Sequence, residues 1–389
     1  MSRLKCLPLF EKLISFDTTS RNSNMALIDF IRDYLKDHGV ESTLVPNEDG
    51  TKANLYATLG PIDQPGIMLS GHTDVVPVDG QEWNTDPWQL TEKEGKYFGR
   101  GTCDMKGFIA VCLAYVPVFV ARGLNTPIHL AFSYDEEVGC VGVQSLIEKM
   151  QHMPVKPAMC IVGEPTSLEV SIGHKGKRSY DATVRGFEAH SSLAPQGVNA
   201  ISYAAELIGY MTAMADRFAK EGPFDEAYDV THTTVHTGVI EGGTALNIVP
   251  KECLVRFEFR NLADHNPDSI IEEITTFART VLEPRMQAVQ PDTGIDIVEV
   301  TDAPGLNIAP DEEVVTFVKS LAGKNDHIKV AFATEAGLFR ERIGIPTVIC
   351  GPGSIEQAHK PNEYVSLDQL AQCEQFMTNL AERVCIGGE

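Results

Sequence analysis

The sequence lacks the features of several protein classes. Its 389 residues contain 32 Lys and Arg against 54 Asp and Glu, which gives a formal net charge of −22. Nucleic acids and anionic membranes bind basic surfaces, so we expect neither as a partner. The longest uncharged run, residues 107–121, is too short to cross a bilayer and contains Pro117. The glycines do not have the G-x-G-x-x-G or Walker spacing, which argues against an enzyme that binds a dinucleotide or has a P-loop.

Cysteine is present but shows no paired pattern. The nine cysteines are scattered from Cys6 to Cys385 without a C-x-x-C pair. In a chain of this length, an odd number of scattered cysteines indicates reduced thiols, most of them buried as small apolar residues. Charged residues interrupt the first apolar stretch, which is typical of an amphipathic helix and not of a signal peptide. We therefore expect a cytoplasmic protein.

Periodicity predicts an α/β fold for the first part of the chain. Strand-like apolar runs alternate there with helical patterns. The strand-like runs are Asn54–Leu59, Ile67–Ser70, Ile128–Tyr134 and Met159–Val162, and the helical patterns are Met25–His38, Met105–Ala121 and Val141–Met150. This alternation predicts an α/β/α sandwich around a mixed, largely buried sheet. In such sheets, ligands bind at the carboxyl ends of the strands.

Five segments carry side chains that bind divalent metals, and the first four lie where a strand-like run ends. They are Gly71–Asp74, Gly101–Gly107, Asp135–Gly139, Gly163–Pro165 and Gln357–Pro361. Two imidazoles and three carboxylates, one of them shared, suit two Zn²⁺ ions, with Co²⁺ or Mn²⁺ as alternatives. Two such ions can hold a water as hydroxide near neutral pH and polarise a carbonyl, which predicts a hydrolase.

Each candidate ligand is ambiguous by itself. His72 ends an apolar run, and Asp74 points to the same side of an extended chain, where it can accept the second ring N–H of a metal-bound histidine. Alone, this pattern is equally typical of a polar turn. Asp104 has two oxygens that can bridge two cations, although an aspartate before a helix is often only an N-cap. The presence of all five segments together favours ligands.

The adjacent glutamates Glu136 and Glu137 end an apolar strand. Neighbouring side chains diverge on an extended chain, so we expect one to bind metal and the other to face the substrate. A plain surface pair is the alternative in so acidic a sequence. Glu164 closes another strand before a proline, and His359 lies in a stretch without helical or strand period. Each of these two is a weak signal alone.

In this order and with these neighbours, the five segments resemble the di-zinc amidohydrolase family. That family includes carboxypeptidase G2-like enzymes, aminoacylases, succinyl-diaminopimelate desuccinylases and acetylornithine deacetylases, and the resemblance extends from about residue 5 to about residue 385. Ala333–Ala336 and Gly351–His359 are most similar to the acetylornithine deacetylases. The resemblance implies a homodimeric enzyme that hydrolyses N2-acetyl-L-ornithine in arginine biosynthesis. A desuccinylase, an aminoacylase or a dipeptidase is the alternative, whereas a non-catalytic homologue is expected to have lost some of these residues.

The resemblance also implies the role of each site residue. The implied metal ligands share carboxylate or imidazole chemistry and are His72, Asp104, Glu137, Glu164 and His359. One ion would be held by His72, Asp104 and Glu164, and the other by Asp104, Glu137 and His359. Glu136 is the implied proton shuttle, Asp74 supports His72, and the peptide bond between Asp104 and Met105 is implied to be cis.

The pattern from about Lys177 onward spells βαββαβ. Because it lies between the fourth and fifth metal-binding segments, we expect residues 178–301 to form a ferredoxin-like domain inserted between residues 1–177 and 302–389 of the catalytic domain. The resemblance implies that this domain is a lid that also dimerises. Local pattern gives His190 no role, but the resemblance implies that it stabilises an oxyanion in the other subunit's site. Asn247 and Arg260 are similar to positions of the family that bind the substrate carbonyl and α-carboxylate. At Arg260 the motif Glu258-Phe259-Arg260 departs from the Asp-x-Arg that is common in the family.

Glu335 allows two interpretations. If it faces the pocket, its carboxylate can pair with the δ-ammonium of acetylornithine and repel the free carboxylate of a succinyl group. Alternatively, it is a glutamate at the start of a helix, stabilised by the helix dipole.

Overall fold

The chain forms two compact units. The structure, a computed structural model, describes residues 4–386, so the outermost residues of the two predicted catalytic segments lie outside the described residues. One unit contains the chain up to Gly173, Leu306–Lys329 and the chain from Thr334, and the other contains His174–Gly305 and Val330–Ala333. The second unit therefore extends beyond residues 178–301 at both ends and gains a short segment from later in the chain.

The elements are numbered in chain order. The strands are β1 (Ser42–Pro46), β2 (Ala53–Leu59), β3 (Ile67–His72), β4 (Thr91–Lys93), β5 (Lys96–Phe98), β6 (Ile128–Ser133), β7 (Met159–Pro165), β8 (Ser171–His174), β9 (Gly176–Arg185), β10 (Thr234–Gly242), β11 (Glu252–Asn261), β12 (Gly294–Ala303), β13 (Leu306–Asn307), β14 (Ile328–Val330), β15 (Thr347–Gly351) and β16 (Tyr364–Ser366). The helices are α1 (Leu7–Ile14), α2 (Met25–Asp37), α3 (Lys106–Arg122), α4 (Val143–Gln151), α5 (Ala200–Glu221), α6 (Pro267–Phe277), α7 (Glu283–Gln287), α8 (Glu313–Ala322), α9 (Ala336–Ile343) and α10 (Leu367–Val384).

A large mixed sheet forms the centre of the first unit, as predicted. Its main path runs β1-β2-β6-β3-β7-β15-β8-β13. Strand β3 runs parallel to β6 and β7, and β7 runs parallel to β15. All residues of these four strands are buried, which explains why they appear in the sequence as continuous apolar runs. Strand β15 lies between β7 and β8, although β7 and β8 follow each other closely in the chain.

The strand ends place the polar residues at one edge of this sheet. His72 is the last residue of β3, Glu164 is the penultimate residue of β7, and Glu136 follows the end of β6. Helix α3 begins two residues after Asp104, and its first eleven residues are buried, so it is apolar on all sides. The predicted strand and helix positions in this region agree with the observed ones to within a few residues.

The second unit has the predicted βαββαβ order. Its four strands form an antiparallel sheet in the order β10-β11-β9-β12, which is the ferredoxin-like arrangement. Buried side chains of α5 and α6 belong to the same apolar core as alternate residues of β9 and β11. The second helix, α6, ends at Phe277, and a π-helical turn, Ala278–Leu282, leads into α7.

No helix in the described part of the chain combines the length and the apolar character needed to span a membrane.

Candidate metal centre

His72 lies at the base of the site and is 1% exposed. Its Nδ1 lies 2.9 Å from the backbone carbonyl oxygen of Asp74, while the Asp74 carboxylate is 3.6 Å away. The nearer partner of Nδ1 is therefore the carbonyl, and the carboxylate lies just beyond it. Nε2 faces Asp104 Oδ1 at 3.0 Å and Glu164 Oε1 at 3.6 Å.

The Asp74 carboxylate holds the glutamate segment instead. It accepts hydrogen bonds from the backbone N–H groups of Glu136 at 3.1 Å and Glu137 at 3.3 Å, and from the Ser20 hydroxyl at 2.7 Å. Burial raises the pKa of Asp74, but its contacts with His72 and these donors outweigh burial and lower it. Asp74 thus ties the end of β3 to the segment after β6. The sequence did not indicate a role for Ser20.

Asp104 has the geometry of a bridging ligand. Its Oδ1 lies 3.0 Å from His72 Nε2, and its Oδ2 lies 3.2 Å from His359 Nε2, so each oxygen faces a different imidazole. The side chain is buried, and the peptide bond between Asp104 and Met105 is cis. A carboxylate between two imidazoles is the arrangement expected when one carboxylate is shared by two cations.

Glu136 and Glu137 both reach the cluster, contrary to the expected divergence. After Asp135, which has φ +54°, a turn begins at Glu137 in which the N–H groups of Gly139 and Cys140 donate to the carbonyl of Glu136, so the backbone is not extended and the alternation rule does not apply. Glu137 Oε2 lies 3.0 Å from His359 Nε2. Glu136 lies with His72 and Glu164 in a group whose ligand atoms are all within 4.8 Å of one another. The thiol of Cys140 donates to Glu136 Oε1 at 3.3 Å.

His359 has a more exposed side chain than the other candidate ligands, whose side chains are buried. It lies in a loop with φ +63°, and its side chain is half exposed. Its Nε2 faces only carboxylate oxygens, those of Asp104 and Glu137. The closest contacts therefore separate the ligands into two sets that share Asp104: His72 with Glu164, and His359 with Glu137.

The cluster fits two divalent cations. Burial, together with neighbouring carboxylates, raises the pKa of Glu136 to about 8 and that of Glu137 to about 7, and it raises the pKa of Glu164 well above its usual range. Glu137 Oε1 is buried without a hydrogen-bond partner among residues 4–386. Crowded buried carboxylates with an unpartnered oxygen need positive charge, and mixed imidazole and carboxylate donors suit zinc and similar ions.

Three further candidates, His190, Asn247 and Arg260, belong to the second unit. His190 is exposed, and its Nδ1 lies 2.7 Å from the Ser192 hydroxyl. Asn247 is also exposed, and its carbonyl accepts the N–H of Ser191. Arg260 lies on β11 and donates to Glu258 at 3.0 Å.

Glu335 belongs to the first unit and is 1% exposed. It immediately precedes α9, whose first N–H at Ala336 is capped by the Thr334 hydroxyl and not by Glu335. Burial raises the pKa of Glu335 to about 7. Its Oε1 has no hydrogen-bond partner at normal distance within residues 4–386, although the hydroxyls of Ser133, at the end of β6, and Ser70, within β3, lie close enough to oppose the rise of its pKa.

The geometry of this site agrees with comparisons to known proteins. Residues 68–383 match the family described as Peptidase family M20/M25/M40. The chain belongs to this family. It is 32% identical over 388 residues to an acetylornithine deacetylase of Pasteurella multocida, with 98% of both chains covered. It is 31% identical over 387 residues to an acetylornithine deacetylase of Photorhabdus laumondii, with 98% of this chain and 97% of the relative covered.

Solved structures of the M20 family show the same fold. An M20 family metallo-carboxypeptidase from Sulfolobus solfataricus superposes with a TM-score of 0.75 at 19% identity, covering 96% of this chain and 98% of the other. A dinuclear metal-binding M20 peptidase from Bacillus subtilis gives a TM-score of 0.67 at 14% identity, with 97% of each chain covered. The family match and the metal-binding cluster identify this chain as a metal-dependent hydrolase.

Two supporting residues of this M20 enzyme were not found from its sequence. Glu363 and Arg100 form a fully buried ion pair beside the Asp104 segment, with an N–O distance of 2.7 Å. Each residue lies in a polar stretch of sequence that is typical of an exposed loop, and only the fold brings positions 100 and 363 together. The nearest signal was the closeness of Glu363 to His359 in sequence.

Proposed function

We propose that this protein hydrolyses N2-acetyl-L-ornithine to L-ornithine and acetate. The observation that carries the proposal is the Asp104 carboxylate, which lies between two imidazoles, together with Glu136, which lies near His72 and Glu164. Acetylornithine deacetylases that match nearly the whole chain support the choice of substrate. Water adds to the acetyl carbonyl, the C–N bond breaks, and the leaving amine receives a proton.

The residues of the cluster have distinct tasks in this reaction. His72, Asp104, Glu137, Glu164 and His359 would hold two zinc-class ions. Such ions lower the pKa of a water and polarise the scissile carbonyl. Glu136 takes a proton from the attacking water and delivers it to the amine nitrogen. Asp74 keeps Glu136 in place through the backbone N–H bond described above.

The second unit would supply substrate contacts. We assign oxyanion stabilisation to His190, carbonyl binding to Asn247 and α-carboxylate binding to Arg260. The exposed ring of His190 and the exposed side chain of Asn247 leave both free for such contacts. In this proposal the enzyme is a homodimer, and His190 serves the active site of the second copy.

We also place the enzyme in the cytoplasm, in arginine biosynthesis. All nine cysteines are free and buried, which supports a reducing compartment. Removal of the acetyl group frees the α-amine of L-ornithine, which is the precursor that arginine biosynthesis requires.

Steady-state kinetics on a substrate panel tests the proposal. The protein is loaded with Zn²⁺ or Co²⁺ and assayed with acetylornithine, acetylmethionine, succinyl-diaminopimelate and a dipeptide. The expected result is the highest kcat/KM for acetylornithine and loss of activity after metal removal with a chelator. The highest kcat/KM for any other panel member refutes the substrate assignment, and activity that survives chelation refutes the metal-dependent mechanism.

A further inference from the structure

Glu363 is buried beside the metal centre and accepts four hydrogen bonds. Its Oε1 accepts the backbone N–H groups of Cys103 at 2.8 Å and Asp104 at 3.1 Å. Its Oε2 accepts the N–H of Gly101 at 3.1 Å and Nη1 of Arg100 at 2.7 Å. One carboxylate therefore satisfies three backbone donors of the segment that presents Asp104.

Arg100 and Gln81 hold the other side of the same junction. Gln81 Nε2 donates to the carbonyl of His359 at 2.9 Å, and Arg100 Nη1 donates to the carbonyl of Lys360 at 3.3 Å. Arg100 Nη2 also donates to Gln81 Oε1 at 2.5 Å. The guanidinium carbon of Arg100 lies 5.1 Å from the centre of the Trp83 ring, which limits its movement.

These contacts join two loops that carry ligands of the same ion. His72 and Glu164 are fixed by their strands, β3 and β7, so their positions do not depend on a loop. His359 lies four residues before Glu363, in a loop and with a half-exposed side chain. Its distance to Asp104 is therefore set by how firmly its loop is attached to the Asp104 segment.

We propose that Glu363, Arg100 and Gln81 form a positioning clamp that sets the affinity for the ion bound by Asp104, Glu137 and His359. The inference rests on the two-ion centre of the proposed function. It predicts that the two ions respond differently to loss of the clamp. The ion held by His72 and Glu164 keeps two ligands on rigid strands and loses only the placement of Asp104, whereas the other ion loses the placement of both His359 and Asp104.

Glu363→Gln is the direct variant. Glutamine has one acceptor oxygen, and its amide group would face donors, so two of the four hydrogen bonds are lost in a buried place. Gln81→Ala is the milder variant, because Gln81 is only partly buried and carries no charge. Glu356→Gln is the matched control, since Glu356 lies in the same loop but is exposed and outside the clamp.

Metal titration of the full-length protein tests the clamp. Metal-free protein is titrated with Co²⁺, followed by visible absorption, and with Zn²⁺, followed by calorimetry. We expect Glu363→Gln to weaken binding of one ion by about 10–100-fold and Gln81→Ala to weaken the same ion by about tenfold, the range measured for outer-shell partners of metal ligands. The other ion shares only Asp104 with the clamp and should be weakened clearly less, and Glu356→Gln should bind both normally.

Two results overturn the clamp, and a third overturns the two-ion centre on which it rests. The clamp is refuted if Gln81→Ala and folded Glu363→Gln both bind two ions as tightly as wild type, or if the variants weaken both ions equally. If Glu363→Gln does not fold, Gln81→Ala decides the question alone. A wild-type protein that binds fewer than two ions refutes the two-ion centre itself, and this outcome is distinct from failure of the clamp.

Discussion

Glu136 and Glu137 are neighbours in sequence and have different contacts. Glu137 faces His359, whereas Glu136 accepts a hydrogen bond from the Cys140 thiol and lies near His72 and Glu164. Burial and the neighbouring carboxylates raise the pKa of Glu136 to about 8 in the metal-free protein, and bound cations would lower it, so that the carboxylate could accept a proton from water. The two residues should therefore respond differently to the same substitution.

Glu136→Gln should retain two metal ions while kcat falls by roughly 10²–10⁴-fold, because glutamine keeps the shape but cannot accept a proton. Metal analysis and steady-state kinetics on acetylornithine measure both quantities. Glu137→Gln is the matched control and should lose bound metal. A Glu136→Gln enzyme with wild-type kcat, or one that loses its metal, would contradict the assignment of the proton shuttle.

Glu335→Gln tests which amide is cut. If the unpartnered Oε1 of Glu335 meets the substrate ammonium, the substitution should lower kcat/KM for acetylornithine at least tenfold more than for acetylmethionine, because a desolvated charge pair contributes roughly 2–5 kcal/mol when one partner is removed. Acetylmethionine has a neutral side chain and serves as the internal control. Equal losses on both substrates would instead assign Glu335 to the packing of the start of α9.

Single elements of the sheet also carry buried titratable groups. His129 on β6 is 5% exposed, and its Nδ1 lies 3.0 Å from the hydroxyl of Thr58 on the paired strand β2. Its Nε2 has no hydrogen-bond partner among the described residues. Burial lowers the pKa of His129 to about 4. The neutral ring is therefore part of the β2–β6 contact.

This lowered pKa has a predictable effect on stability. In the unfolded chain His129 takes up a proton below about pH 6.5, whereas in the folded chain it does so only near pH 4, so stability is lost as pH falls through this window. We expect His129→Gln to lose about 1–3 kcal/mol less free energy of unfolding than wild type between pH 7 and 4.5. Urea unfolding of the metal-free proteins measures the difference. The exposed His152→Gln should behave as wild type, and equal losses in all three proteins would contradict the role of His129.

At the scale of the whole molecule, the proposed dimer predicts complementation. His190→Ala and Glu136→Gln should each be nearly inactive as homodimers. Co-refolded in equal amounts, they should recover about a quarter of wild-type activity, because half of the dimers are mixed and each mixed dimer has one intact site. Kinetics and sedimentation measure activity and assembly. A Glu136→Gln and Glu137→Gln mixture is the control and should recover nothing, and an active wild-type monomer would refute the dimer.

The fold could be predicted from the sequence because its periodicities are strong. Apolar runs gave β3, β6 and β7, and their ends gave His72 and Glu164. The partners of these ligands could not be predicted, because they depend on local backbone shape and on distant contacts. A turn that begins at Glu137 allows both glutamates to reach one cluster, and the Asp74 carboxylate accepts hydrogen bonds from the backbone N–H groups of residues 136 and 137. Neither feature produces a hydrophobic pattern in the sequence from which it could be predicted.

The place of β15 has a consequence for synthesis of the chain. Strand β7 ends at Pro165, and the neighbour that completes its pairing, β15, begins only at Thr347. A ribosome adds about 5–20 residues per second, so roughly 10 to 40 s pass between them. During this time the buried edge of β7 is open, which makes the nascent chain a target for wrong strand pairing. His359 follows β15 closely, so the same late segment closes the sheet and completes the ligand set, and the whole centre can take up its ions only after that segment has been made.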